Sequence, residues 1–160
     1  MRALVLTILL APMGAPGTAP DLVVEPPGIR LAIVAHGEVP VDDLSLAELR
    51  KIFLGDRQFW EGDLRVVVLV PPTGSSERAL LLGKVYEKTE SQYRHYWIAK
   101  VFREEAQSAP KRVVSMRVAA DLVRQIPGAI SVADSSKVPP GVKVLRIDGK
   151  SAADEGYPLR

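Results

Sequence analysis

The sequence predicts an α/β domain with a mainly parallel sheet flanked by helices. Two nearly continuous apolar runs, Ile29 to Ala35 and Leu64 to Val70, have the character of strands buried on both faces. Segments with apolar residues at helical spacing separate and follow them, so strands and helices alternate along the chain. No internal repeat or heptad pattern competes with that reading.

The elements follow in order. Residues 1–19 read as an export signal: Arg2 supplies the charge, Ala3 to Ala11 a short apolar core, and small residues follow at Gly14, Ala15, Gly17 and Ala19. The apolar core is too short to span a bilayer, so the processed protein is expected to be periplasmic and not membrane-spanning. Residues 20–28 form a Pro/Gly-rich tether, and residues 29–160 a single domain. Ile29 to Ala35 is the first strand and Pro40 to Leu44 a connector. Ser45 and Glu48 then form a capping box, and Leu44 can staple onto Leu49. Leu46, Leu49, Ile52 and Phe53 line one face of that helix, and Gly55 stops it. A polar loop, Asp56 to Asp63, carries Trp60, which suits either a plug onto the core or the flank of a cleft.

Leu64 to Val70 is the next strand, ended by Pro71-Pro72. Glu77 to Lys88 is a helix weakened by Gly83. Thr89 and Gln92 make a second capping box, opening a helix with Tyr93, Tyr96, Trp97 and Val101 on one stripe. Glu104 to Arg112 is polar and loop-like. Ser115 to Ile126 is a fourth helix with Ala119, Leu122, Val123 and Ile126 inward, stopped by Pro127-Gly128. Ala129 to Ala133 and Val142 to Ile147 are short strands, and Gly149 to Arg160 is a tail anchored near Tyr157-Pro158-Leu159.

Composition narrows the function classes. The chain has 160 residues, 47% hydrophobic and 25% charged, which suits one soluble domain with a real core. A net charge of +2, without clustered Lys/Arg interleaved with aromatics, argues against nucleic acid as a partner. The absence of cysteine excludes disulfides, thiolate metal sites and cysteine nucleophiles in this sequence, and no lipoprotein anchor is expected. His36 and His95 are the only histidines and neither has carboxylates at a metal spacing, so no metal or other cofactor is expected. There is no G-x-S-x-G nucleophile elbow and no phosphate-binding loop with its lysine. The chain is therefore expected not to be an enzyme.

The turn Thr73-Gly74-Ser75-Ser76 remains as the candidate binding site. A glycine and three hydroxyls at the mouth of a helix suit anion capture, because the first-turn N–H groups point outward and the macrodipole favours negative charge. The same residues also suit plain capping. No arginine lies in the turn; Arg78 is one helical turn inside.

Several segments together resemble the periplasmic phosphate-binding proteins of ABC importers, a branch of the type II periplasmic binding proteins. Ser45 to Gly55 followed by Trp60 is similar to that family's L-x-x-I-F-x-G helix and its tryptophan loop. Pro127 to Val132 resembles a PGAIGYV strand entry, Val142 to Ile147 with Tyr157-Pro158-Leu159 a closing strand and YPL segment, and Tyr93 to Trp97 a helix of short members. The resemblance covers residues 29 to 160 and implies one lobe of a two-lobed binding protein. It also implies departures. The family turn reads roughly R-x-D-G-S-G-T; Gly74 and Ser75 match its core, whereas Pro71 stands for the arginine, Thr73 for the aspartate, and Ser76-Glu77 for the last pair.

The expected function is that of an exported solute-binding protein. It would hold a small anion such as phosphate at Thr73, Gly74, Ser75 and Ser76, for ABC transport or sensing with an ABC permease or another envelope protein. The alternative is an envelope interaction or regulatory module that has lost phosphate binding.

Overall fold

The computed structural model describes residues 28–160. The export signal and most of the tether lie outside the described residues. Six strands form one sheet: β1 (Leu31–Ala35), β2 (Asp43–Leu44), β3 (Val67–Val70), β4 (Lys111–Arg112), β5 (Ala129–Asp134) and β6 (Lys143–Ile147). Their spatial order is β2-β6-β1-β5-β3-β4. β2 pairs parallel with β6, and β3 parallel with both β4 and β5. β1 is antiparallel to both β5 and β6, so it alone runs against the other strands. The mainly parallel α/β architecture expected from the alternating pattern is present.

Both faces of the sheet are covered, which is why its central strands read as continuous apolar runs. Leu31, Ile33 and Ala35 of β1 and Ile130 and Val132 of β5 enter the larger core, while Val34, Ala129 and Ala133 enter the smaller one on the opposite face. The larger core holds helices α1 (Leu46–Phe53), α2 (Ser76–Leu81) with the π-helical turn that continues it over Leu82–Tyr86, and α3 (Glu90–Phe102). The smaller core is closed by α4 (Met116–Gln125) through Ala119 and Val123. Among the described residues no helix is long and apolar enough to cross a membrane.

Local signals placed the helices well. The Glu48 N–H donates to Ser45 Oγ at 3.2 Å and the Ser45 N–H to Glu48 Oε2 at 2.9 Å. The Thr89–Gln92 box has the same reciprocal bonds at 3.2 and 2.9 Å. Each pair satisfies two donors that a helix start leaves open. Trp60 proves to be a core plug: it is buried, and its Nε1–H donates to the Gly128 carbonyl at 2.9 Å.

Four expectations change. Asp43–Leu44, expected within a connector, form the short edge strand β2, paired parallel with β6. The helix expected over Glu77 to Lys88 is regular only to Leu81, and the segment containing Gly83 is a π-helical turn. Lys111–Arg112, expected in a loop, form edge strand β4 beside β3, held by backbone bonding such as Val113 N–H to the Val70 carbonyl at 3.0 Å. Val101 does not face the core: α3 buries Tyr93, Trp97 and Lys100, which turns Val101 outward. Lys100 takes the inward place by laying its stem along the core and sending its ammonium to Asp56 Oδ1 at 2.5 Å and Tyr96 Oη at 3.1 Å.

The tail is tied down by Tyr157 and Leu159. The Leu31 N–H donates to the Leu159 carbonyl at 2.9 Å, and the Tyr157 hydroxyl donates to the Leu31 carbonyl at 2.7 Å. Burial pushes the Tyr157 pKa up, which keeps the phenol protonated and donating. Tyr157→Phe is expected to cost about 1–2 kcal/mol, read as a lower urea midpoint at unchanged m value.

Candidate functional site

β3 delivers the chain to a buried Pro71, and the Thr73–Ser76 turn follows at the carboxyl end of that strand. Open α/β sheets place their ligand sites at such ends. Gly74 has φ +86°, and a Cβ there would meet no atom within 4 Å. The left-handed backbone, not crowding, selects glycine at this point. Ser75 is the N-cap of α2: its Oγ accepts from the Arg78 N–H at 3.1 Å, while its own N–H donates to the Pro72 carbonyl at 3.2 Å. Thr73, Gly74 and Ser76 are exposed and Ser75 is half-buried. The capping role is therefore present in the turn, and the outer hydroxyls face solvent.

The turn contains no arginine in sequence, but the fold brings one to it. The register of β4 beside β3 pairs Arg112 with Val70, and Arg112 Nη1 donates to Thr73 Oγ1 at 3.1 Å. Arg78, inside α2, is only 4% exposed. Its Nε and Nη2 donate to the two carboxylate oxygens of Glu90 at 3.1 and 2.7 Å. Its guanidinium carbon lies 4.4 Å from the Tyr93 ring centroid, a cation–π contact that helps to hold a buried charge. The bonds from Arg78 hold the Glu90 carboxyl below its usual range against the opposing effect of burial, with Arg112 and Arg94 adding to the positive field.

These groups share one open cleft of about 830 Å³. Thr73, Arg78, Glu90, Arg94 and Arg112 provide its polar wall. Of the four turn residues, Thr73 alone lies on that wall; Gly74, Ser75 and Ser76 sit at the turn outside it. Glu77, the carboxylate in the matched turn, instead lines a separate groove of about 460 Å³ against α4, together with Arg117 and Arg124. His36 and His95 line neither space, and His95 is exposed on α3.

Sequence reasoning missed Arg112, Arg94, Glu90 and the outer face of α3. Arg112 gives no local signal, because its place beside Thr73 depends on strand pairing across the sheet edge. The α3 face did carry one: Ile98, Val101 and Phe102 are spaced i, i+3, i+4, a second apolar stripe beside the one that packs inward.

No family model matches the sequence. Solved structures share its fold. One is a protein from Clostridium perfringens assigned as the substrate-binding component of phosphate ABC transport and solved with bound phosphate. It superposes with a TM-score of 0.62 at 23% identity, over 78% of this chain and 47% of its own. An ABC-type phosphate transport receptor from Vibrio cholerae gives 0.66 at 20% identity, over 82% of this chain and 53% of its own. PstS from Borrelia burgdorferi gives 0.62 at 13% identity, over 82% and 54%. This chain thus spans about half the length of each of these structures. The described residues share the fold of about half of each of these phosphate ABC-transport proteins.

Proposed function

We propose that the protein is an exported, non-catalytic solute-binding protein that captures a small oxyanion, with phosphate the first candidate, for ABC transport or sensing. The supporting observation is the strand-to-helix turn at the carboxyl end of β3, with Gly74 left-handed and Arg112 held against Thr73. The N–H groups at Gly74 and Ser76 and the outer hydroxyls would donate to the anion, the Ser75 N–H being held by the Pro72 carbonyl, and Arg112 would supply the charge that Pro71 does not. Glu77, a carboxylate that would repel an anion, lines the groove on the α4 side, whereas Thr73 lines the cleft that holds Arg78, Arg94 and Arg112. The fold shared with phosphate-binding proteins supports the ligand class and suggests an ABC permease as the partner.

Isothermal titration with inorganic phosphate tests the reading. A Kd below about 1 mM, or at least about 4 kcal/mol of binding free energy, is expected. Arg112→Gln is expected to weaken binding about tenfold through loss of a charge-assisted bond, with the thermal midpoint unchanged because Arg112 is exposed. Folded protein that gives no phosphate heat in the millimolar range would contradict the proposal.

A further inference from the structure

The cleft beside the turn has features that inorganic phosphate does not use. Its floor and rim include Trp97, Ile98, Val101 and Phe102 of α3. Ile98 is 61% and Phe102 86% exposed, so the ridge presents large apolar side chains to solvent. At the same time, two buried donors on its lining residues have no partner among the described residues: Arg78 Nη1 and Trp97 Nε1. Arg78 and Trp97 are 4% and 5% exposed, so water does not readily supply the missing acceptors, and an unmade buried bond is costly. Three arginines against one glutamate leave the polar wall positive.

We propose that this cleft binds an amphipathic organic anion, a carboxylate or phosphate monoester carrying an apolar chain or ring. The anionic head would accept from Arg78 and Arg112, and the apolar body would lie along Trp97, Ile98, Val101 and Phe102. The orphaned Arg78 Nη1 is a donor, so its missing partner is an acceptor. The surplus charge on the wall is positive, so the acceptor is anionic. The bordering ridge is apolar, so the anion has an apolar part whose burial contributes to affinity in proportion to its area. The site shares Thr73 and Arg112 with the proposed phosphate turn but rests on Arg78, Trp97 and the α3 ridge, and it stands or falls separately.

The test titrates the purified protein with decanoate below its micelle concentration, following calorimetry and the indole N–H resonances. The expected result is saturable one-to-one binding that shifts the Trp97 indole signal and spares that of Trp60, which is bonded to Gly128. Decanol, with the same tail and no charge, is expected to bind at least about tenfold more weakly, and acetate to give no saturable heat in the millimolar range. Phe102→Asp, at an exposed position that leaves the fold intact, is expected to abolish decanoate binding. Absence of decanoate binding to folded protein would overturn the proposal, as would equal binding of decanol, or full binding by Phe102→Asp. A concentration-dependent dimer that decanoate does not dissociate would also overturn it, by showing that a second copy covers the ridge. Phosphate binding without decanoate binding sinks this inference and keeps the turn; the reverse result keeps this inference and sinks phosphate capture.

Discussion

Gly128→Ala is expected to destabilise the protein by about 3–5 kcal/mol, near the upper end for a single substitution. Gly128 is buried with φ +77°, where an L side chain is strained by about 1–2 kcal/mol. The larger cost is steric. An added Cβ would sit 2.1 Å from the Arg65 carbonyl oxygen and 3.2 Å from Leu64 Cγ, and the first of these is backbone that cannot swing aside. Moving that backbone also disturbs the two bonds that converge on the Gly128 carbonyl, from the Val67 N–H at 3.1 Å and Trp60 Nε1 at 2.9 Å. Those bonds join β3, the tryptophan loop and the start of β5. Gly74→Ala is the control: it has the same backbone hand, φ +86°, and open space around the new methyl. It is expected to cost only about 1–2 kcal/mol. Urea unfolding of both variants separates backbone strain from collision; equal costs would contradict the account.

Glu90→Ala is expected to cost about 2–3 kcal/mol and to alter the acid limb of the stability profile. Removing one partner of a fully buried ion pair costs about 3–5 kcal/mol; the Glu90 side chain is 45% exposed, which moderates the loss, whereas Arg78 is 4% exposed and would be left charged without its acceptor. Arg78→Met in the Glu90→Ala background is expected to recover most of the stability, since an apolar side chain of similar length removes the unpaired charge. Glu90 titrates in the folded state below its ordinary value of 4.5 because Arg78 bonds to the carboxylate. A depressed folded pKa means that the unfolded chain takes up the proton first as pH falls. The pair's contribution is therefore complete above about pH 4.5 and is lost as pH falls through the folded pKa. The gap between native and Glu90→Ala stabilities should be widest near neutrality and should narrow below pH 4.5. A gap that stayed constant into acid would show that the ion pair is not its source.

Much of the fold was legible because it is written in short-range chemistry. The two capping boxes depend on residues close in sequence and the apolar run of β1 on burial of a whole run, whereas the Tyr157 and Leu159 anchor reaches Leu31 across the length of the chain. β4 was not legible, because Lys111 and Arg112 are charged edge residues paired through their backbone with no apolar pattern to mark them. The inward turn of Lys100 was hidden for a related reason: a lysine stem packs like an apolar residue, but its charge signals a solvent face.

The candidate site divides along the same line. The turn Thr73–Ser76 was visible as glycine plus hydroxyls before a helix, and Ser75 caps α2 as that chemistry suggests. The missing arginine of the matched turn was also visible, at Pro71. What sequence spacing could not supply is Arg112, thirty-nine residues from Thr73 and brought to it by the pairing of β3 with β4. The Arg78–Glu90 pair likewise spans the junction between two helices, so neither residue marks the other. The fold thus brings a cation to the turn from β4 and not from the turn's own sequence.

The most direct test of phosphate capture at this turn is a phosphate titration followed by amide and guanidinium resonances. Saturable shifts are expected at the Gly74 and Ser76 amides and at the Arg112 guanidinium, with the amides of Gly62 and Gly141 unchanged. A folded protein whose Gly74 and Ser76 signals stay fixed at millimolar phosphate, or whose shifts appear only elsewhere, would contradict phosphate capture here.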